Sequence, residues 1–198
     1  PLFADEEEDF QRIIRAACLL HDVSWRAHPD FRANLCFETA TRSNLGGLKH
    51  WERVFLGVSL LHRYRNKRER SPYSDLFPLL SDTQIEQAEI LGKAMRIGAM
   101  LWVKDNKKRA ALSWNETTRE LVLELSKKNA DLYGEVCAAR LGSLASTLNA
   151  SWWWCRVRSC WLLSYEKSLL RYEKNQGGGG YFGFGHFQSI IPRFFIPR

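Results

Sequence analysis

The chain contains 198 residues, of which 45% are hydrophobic and 26% are charged, so its composition allows a folded core and excludes a disordered chain. No apolar stretch approaches the length of a membrane span, and the five cysteines lack the C-x-x-C spacing of a zinc site. The formal net charge is +7, but residues 150–198 hold seven of the 29 basic residues and only two of the 22 acidic ones. The other charges nearly balance, so the net charge alone does not predict nucleic-acid binding. We expect a cytoplasmic protein with reduced thiols and, because the sequence begins at Pro1 without a capped first helix, a fragment.

The first predicted element is a helix that starts within the acidic run 5–9 and ends before Pro29. Apolar residues recur along it at steps of three and four, and His21 continues this spacing. We therefore expect His21 to point inward, with Asp22 beside it near the end of the helix. The apolar residues on this face are Phe10, Ile13, Ile14, Ala17 and Cys18.

The same periodicity predicts three more helices in the first half of the chain. They cover about residues 31–41, 49–64 and 81–103. Ser81 and Gln84 have the spacing of a capping box at the start of the last one. His62 lies on the apolar face of the second and is expected to be a core histidine rather than a ligand. Three tryptophans are expected to fill the core: Trp51, Trp102 and Trp114.

Beyond residue 110 the apolar residues no longer recur at helical spacing and instead alternate with polar residues. Residues 111–114 and 120–125 alternate in the manner of strands, and the polar residues 115–118 between them favour a turn, so we predict a β-hairpin. A closing helix is expected over residues 129–148. The chain is therefore predicted to be mainly α, with a helical domain at 1–103 and a small β-hairpin-plus-helix appendage at 104–149.

Residues 150–198 differ in composition from the rest of the chain, because aromatic, glycine and basic residues dominate them. Arg156 and Arg158 interrupt the apolar residues from Trp152 to Leu163, so this stretch is a poor membrane span. We interpret this tail as non-native sequence, such as a frame-shifted or read-through end, and expect disorder or a poorly defined helix without a function. The alternatives are a glycine-linked amphipathic anchor and a patch of aromatic and basic residues that binds nucleic acid.

Several motifs occur in a fixed order and together resemble one known family. They are Leu19-Leu20-His21-Asp22-Val23-Ser24, His28, Asn44-Leu45-Gly46-Gly47-Leu48, Leu60-Leu61-His62-Arg63-Tyr64-Arg65 and Ala94-Met95-Arg96-Ile97-Gly98-Ala99-Met100-Leu101. Over about residues 1–149 the chain resembles the C-terminal region of the exopolyphosphatase / guanosine pentaphosphate phosphohydrolase (Ppx/GppA) family, most closely the bacterial exopolyphosphatases. Because the His-Asp pair is the central signature of the HD fold, the resemblance implies an HD-like helical bundle.

In this family, release of the terminal phosphate belongs to an actin-like N-terminal half that supplies the phosphate loops and uses a divalent metal, Mg²⁺. The resemblance therefore implies that this chain contributes polyphosphate-binding and dimer surface, and that it carries no catalytic residue and needs no metal of its own. The implied partners are inorganic polyphosphate, the N-terminal catalytic half and a second copy of the chain. Membranes and nucleic acids are not expected partners. Polyphosphate and guanosine pentaphosphate remain open as substrates of the parent enzyme.

A basic cluster follows the second of the three helices. Arginine binds phosphate oxygens through two parallel hydrogen bonds, so a channel for a dense polyanion requires clustered guanidinium groups. We assign polyphosphate binding to Arg63, Arg65, Lys67 and Arg68. The alternative is that these residues form a solvated helix end favoured by the helix dipole. A second basic cluster lies at residues 104–109.

The His-Asp pair leaves a metal site open as a further possibility. An HD hydrolase coordinates its metal through several nitrogen and oxygen ligands, and His21, Asp22 and His28 are the candidate ligands here. With a metal, the chain would be a self-standing phosphohydrolase acting on a nucleotide. Without one, His21 would cap a backbone carbonyl and Asp22 would neutralise Arg26 or Arg63, and the chain could be a structural helical module without a ligand.

Overall fold

The computed structural model describes residues 2–3, 7–67, 71–101 and 110–157 of the chain. Its α-helices are α1 (Glu8–Leu20), α2 (Pro29–Arg42), α3 (His50–Tyr64), α4 (Asp82–Leu101) and α5 (Glu135–Thr147). Its strands are β1 (Ala110–Asn115), β2 (Glu120–Ser126) and β3 (Ser151–Val157), and short 3₁₀ helices cover Ser74–Leu79 and Lys127–Leu132. The prediction of a mainly α fold with a small β part is confirmed. Within these residues, no helix is long and apolar enough to cross a membrane.

Helix α3 forms the centre of the helical part of the molecule. It packs against α1, α2 and α4, and its residues 54–62 are all buried. Phe55, Leu56 and Leu61 have no exposed surface, and burying one such side chain contributes about 1.5–3 kcal/mol of stability. Because α1, α2, α3 and α4 all pack into this first core, each has apolar residues at helical spacing, and this spacing allowed their prediction from the sequence.

Helix α4 belongs to two cores. One face of it contributes Ala88, Leu91 and Met95 to the core around α3. Another face contributes Ile97 to a second core, against which Ile90 also packs and which contains the buried leucines of β2 and α5. Since one continuous helix serves both, the small sheet and α5 are attached to the bundle through packing as well as through the chain.

The sheet has the order β1-β2-β3. Strands β1 and β2 are antiparallel, and the Asn115 side chain accepts a hydrogen bond from the Thr118 amide in the turn between them, so the predicted hairpin is confirmed. Leu121, Leu123 and Leu125 alternate along β2 and are buried against α4 and α5. One face of the sheet thus closes the second core.

Three local expectations differ from the structure. The helix expected at 129–148 is divided into a 3₁₀ helix and α5, with Gly134 at the start of α5. The expectation of disorder or helix is wrong for 151–157, because β3 pairs in parallel with β2, Cys155 is buried and Trp154 stacks on Tyr133 at 4.2 Å between ring centroids. Residues 158–198 lie outside the described part of the chain, and the domain divisions after residues 103 and 149 remain predictions.

The third difference concerns the end of α1. The helix ends at Leu20, and residues 21–26 form turns. The His21 side chain folds back on the end of the helix, where its Nδ1 lies 2.8 Å from the Cys18 carbonyl, and it is 37% exposed. The expectation that His21 points inward with the apolar face is wrong, because this backbone contact holds the imidazole at the partly exposed end of α1.

Candidate anion-binding site

A groove of about 280 Å³ opens where the turn after α1 meets α2, the last turn of α3, α4 and α5. Its lining contains four arginines and one carboxylate, together with exposed aromatic and apolar surface. The lining residues are Asp22, Trp25, Arg32, Arg63, Tyr64, Arg96, Ala99, Met100 and Arg140. The groove is therefore strongly basic, although the numbers of basic and acidic residues in the described part of the chain are nearly equal.

Each arginine comes from a different helix, and backbone carbonyls orient two of them. Arg32, in the first turn of α2, donates from Nε to the Ala27 carbonyl at 2.9 Å. Arg140, on α5, donates from Nη1 to the Arg96 carbonyl at 3.1 Å. Because neutral carbonyls do not cancel a guanidinium charge, both side chains keep their positive charge in the groove.

The arginines on α3, α4 and α5 are close enough to repel one another. Burial lowers the pKa of Arg96, and the positive charge of Arg63 lowers it further. Burial also lowers the pKa of Arg140, with additional contributions from Arg96 and Arg63. A bound anion would relieve this repulsion, which favours an anionic ligand at this position.

Asp22 is the one acidic residue in the lining of the groove. Its Oδ1 accepts a hydrogen bond from Arg63 Nη2 at 3.0 Å and from the Tyr64 hydroxyl at 3.3 Å. The Arg63 side chain is 12% exposed and the Asp22 side chain 49% exposed, so a half-exposed carboxylate pairs with a largely buried guanidinium. Arg63 also stacks on the Tyr64 ring, with 4.8 Å between Cζ and the ring centroid, which holds the guanidinium in place.

The three candidate metal ligands are not assembled into one site. His21 Nδ1 lies 2.8 Å from the Cys18 carbonyl, and His21 Nε2 lies 3.3 Å from Asp22 Oδ2. His28 instead caps α2, where its Nδ1 accepts a hydrogen bond from the Asp30 amide. Across the described residues, no three His, Cys, Asp or Glu side chains form a group that could hold a metal ion. Metal binding by His21, Asp22 and His28 therefore remains an untested alternative, and of the three only His21 and Asp22 are in contact with each other.

The predicted polyphosphate-binding residues lie in different places. Arg63 lines the groove, whereas Arg65 is half-buried just beyond α3 and Lys67 is exposed. Arg68 and the basic cluster at 104–109 lie outside the described residues. Their assignment to polyphosphate therefore remains a prediction, and Arg63 is the link between the predicted cluster and the groove.

Arg32, Arg96 and Arg140 are not among the binding residues that the sequence predicts. These arginines are far apart in the sequence, and each looks like an ordinary charged residue of its helix. Only Arg96 carried a signal, because it belongs to one of the motifs that suggested the family.

His62 is fully buried between α3 and α4, as expected of a core histidine. Its Nε2 lies 4.0 Å from Glu89 Oε2, and Glu89 also pairs with Lys93 at 2.7 Å. Lys93 donates to the Thr147 hydroxyl at 2.6 Å. This polar network joins α3, α4 and α5.

The fold and the groove define a class of protein, a helical bundle with a small sheet that presents a basic groove between its helices. The model of the exopolyphosphatase C-terminal family matches residues 2–150, and the chain belongs to this family. The resemblance inferred from the motifs is thus confirmed. No curated protein matches the chain.

Proposed function

We propose that this chain is the polyphosphate-binding C-terminal portion of an exopolyphosphatase that acts in the cytoplasm. In this proposal the chain holds inorganic polyphosphate, and an N-terminal catalytic half with Mg²⁺ releases the terminal phosphate. The observation that carries the proposal is the convergence of Arg32, Arg63, Arg96 and Arg140 on one groove. The proposed homodimer of the parent enzyme follows from the family alone.

The chemistry of the groove suits a chain of phosphates. Phosphate oxygens accept paired hydrogen bonds from the planar guanidinium group, and such charge-assisted bonds are about twice as strong as neutral ones. Arginines on four helices surround the groove, so consecutive phosphates of one chain could contact different helices. Arg65 and Lys67 follow Arg63 directly in the sequence and would extend the basic surface beyond the groove.

We expect binding without hydrolysis. The groove offers guanidinium groups and a carboxylate that is already paired with Arg63, and the family's reaction is assigned to the half that precedes this region. Incubation of the chain with polyphosphate, with and without Mg²⁺, should release no phosphate. Metal-dependent release would favour the alternative of a self-standing phosphohydrolase.

The test is the affinity of the 198-residue chain for long-chain polyphosphate, measured by titration calorimetry at two salt concentrations. Arg96→Gln should weaken binding about ten- to 150-fold, because a charge-assisted contact is worth about 1.5–3 kcal/mol, and the affinity should fall as the salt concentration rises. Arg15→Gln is the matched control, since Arg15 is exposed on α1 and lies outside the groove. An equal loss of polyphosphate affinity in Arg96→Gln and Arg15→Gln, or no binding by the wild-type chain, would contradict the proposal.

A further inference from the structure

Asp22 has no evident place in a groove that binds polyanions, because its charge has the same sign as the ligand. Its carboxylate nevertheless lies against Arg63 at 3.0 Å, in the lining of the groove. We propose that Asp22 occupies the subsite at which one phosphate group of the chain binds, and that the phosphate displaces it. This inference rests on the proposed function and adds a regulatory residue to the same groove.

The donors around Asp22 form a site for an oxyanion. Arg63 Nη2 donates to Oδ1 at 3.0 Å, and the Tyr64 hydroxyl lies 3.3 Å from both Oδ1 and the His21 carbonyl, so its proton can be donated to either oxygen. Arg63 Nε is buried and has no hydrogen-bond partner among the described residues. A phosphate has more acceptor oxygens than a carboxylate, so it could use this additional donor of the same guanidinium.

The two members of the ion pair differ in how firmly the fold holds them. Arg63 and Tyr64 lie on α3, the central helix, and Arg63 is largely buried. Asp22 lies in the turn at 21–26 and is about half exposed. Its carboxylate can therefore rotate into water without any loss of core packing, whereas the arginine remains in position to receive the ligand.

A tethered phosphate is the competitor best able to displace Asp22. A chain already held by Arg96 and Arg140 presents its next phosphate to Arg63 at a high effective concentration. A single small anion lacks this advantage. Asp22 thereby reduces binding of isolated anions to Arg63 until a polyphosphate chain enters the groove.

The test measures the affinity of the 198-residue chain for tripolyphosphate by titration calorimetry, with a chelator present. Asp22→Asn should tighten binding about three- to tenfold, which corresponds to roughly 0.7–1.4 kcal/mol, because the competing charge is removed. Asp75→Asn makes the same change of net charge at an exposed residue that does not line the groove, and it should change the affinity less than twofold. Adding Arg63→Gln to Asp22→Asn should abolish the gain.

The outcomes separate this inference from the proposed function. If Arg96→Gln weakens polyphosphate binding but Asp22→Asn behaves like Asp75→Asn, the groove stands and the role of Asp22 is overturned. If Asp22→Asn weakens binding, Asp22 contributes to the ligand site instead of competing for it, and the inference is again overturned. If the wild-type chain binds neither tripolyphosphate nor long-chain polyphosphate, the proposed function fails and the inference fails with it.

Discussion

His21 lies one residue beyond the last residue of α1, and this position determines what its side chain can do. In the turn, its Nδ1–H can donate to the Cys18 carbonyl, and its other nitrogen faces Asp22. The contact with Asp22 becomes an ion pair only when the imidazole carries both protons. Contacts thus run from His21 at the end of α1 to Asp22, and from Asp22 to Arg63 in the groove.

This arrangement predicts the metal content of the protein. The chain purified without chelator should contain no stoichiometric manganese, iron or zinc, because two adjacent donors bind such ions weakly compared with the three or more protein ligands usual in catalytic sites. Elemental analysis by mass spectrometry provides the measurement, and His21→Ala should give the same result as the wild type.

Near-stoichiometric metal that disappears in His21→Ala would contradict this expectation. It would make His21, Asp22 and His28 ligands, and it would revive the self-standing phosphohydrolase. The basic groove would then have to be considered as a substrate site of that enzyme.

At the scale of elements, the approach of α3 and α4 positions the groove. A Cβ atom placed on Gly92 would lie 2.4 Å from the Cβ of His62 and 2.4 Å from the Ser59 carbonyl oxygen. The two helices therefore pack backbone to backbone at this point. Arg63 and Arg96 follow this crossing on their respective helices, so its geometry sets how far apart the two guanidinium groups lie.

Gly92→Ala should destabilise the protein by about 1–3 kcal/mol, because the added methyl group forces α3 and α4 apart in a packed core. Urea denaturation followed by circular dichroism measures the change. Gly98→Ala is the matched control, since Gly98 is exposed on the same helix and its Cβ would meet nothing within 4 Å. It should instead stabilise by roughly 0.5–1 kcal/mol through helix propensity. Equal effects in the two variants would mean that α3 and α4 do not approach as closely as described.

At the scale of the whole molecule, the two cores share α4. Residues on one of its faces pack around α3, and residues on another face pack against β2 and α5. The Lys93–Thr147 hydrogen bond adds a buried polar link between α4 and α5. We therefore expect the sheet, α5 and the bundle to unfold together.

Leu141→Ala tests this cooperativity. Leu141 has no exposed surface in the second core, so its loss should cost about 2–5 kcal/mol. Native-state hydrogen exchange measures the free energy of opening at each amide. In Leu141→Ala this free energy should fall by the same amount at the most protected amides of α3 and of β2. Val136→Ala, at a side chain that is 57% exposed on the same helix, should have little effect. Loss of protection confined to β2 and α5 would show that residues 104–149 unfold as a separate unit.

Much of the fold could be predicted because its signals are local. Apolar spacing located α1 to α4, the capping box Ser81–Gln84 forms with both of its hydrogen bonds, and alternation around polar turn residues located β1 and β2. Strand β3 could not be predicted in the same way. Its aromatic residues form a strand because β2 has a free edge with which they can pair, and they reach that edge only because α5 returns the chain to the sheet.

The sequence by itself determined the class of the fold, the family and one member of the groove, Arg63, because helical periodicity and short motifs are properties of neighbouring residues. Only the tertiary structure decided that Arg32, Arg96 and Arg140 join Arg63, that Asp22 pairs with Arg63 instead of Arg26, and that the His21 side chain stays partly exposed. The physical reason is that charges on separate helices interact through space. Their grouping depends on how α2, α3, α4 and α5 cross, and that crossing is set by core packing distant from the groove itself.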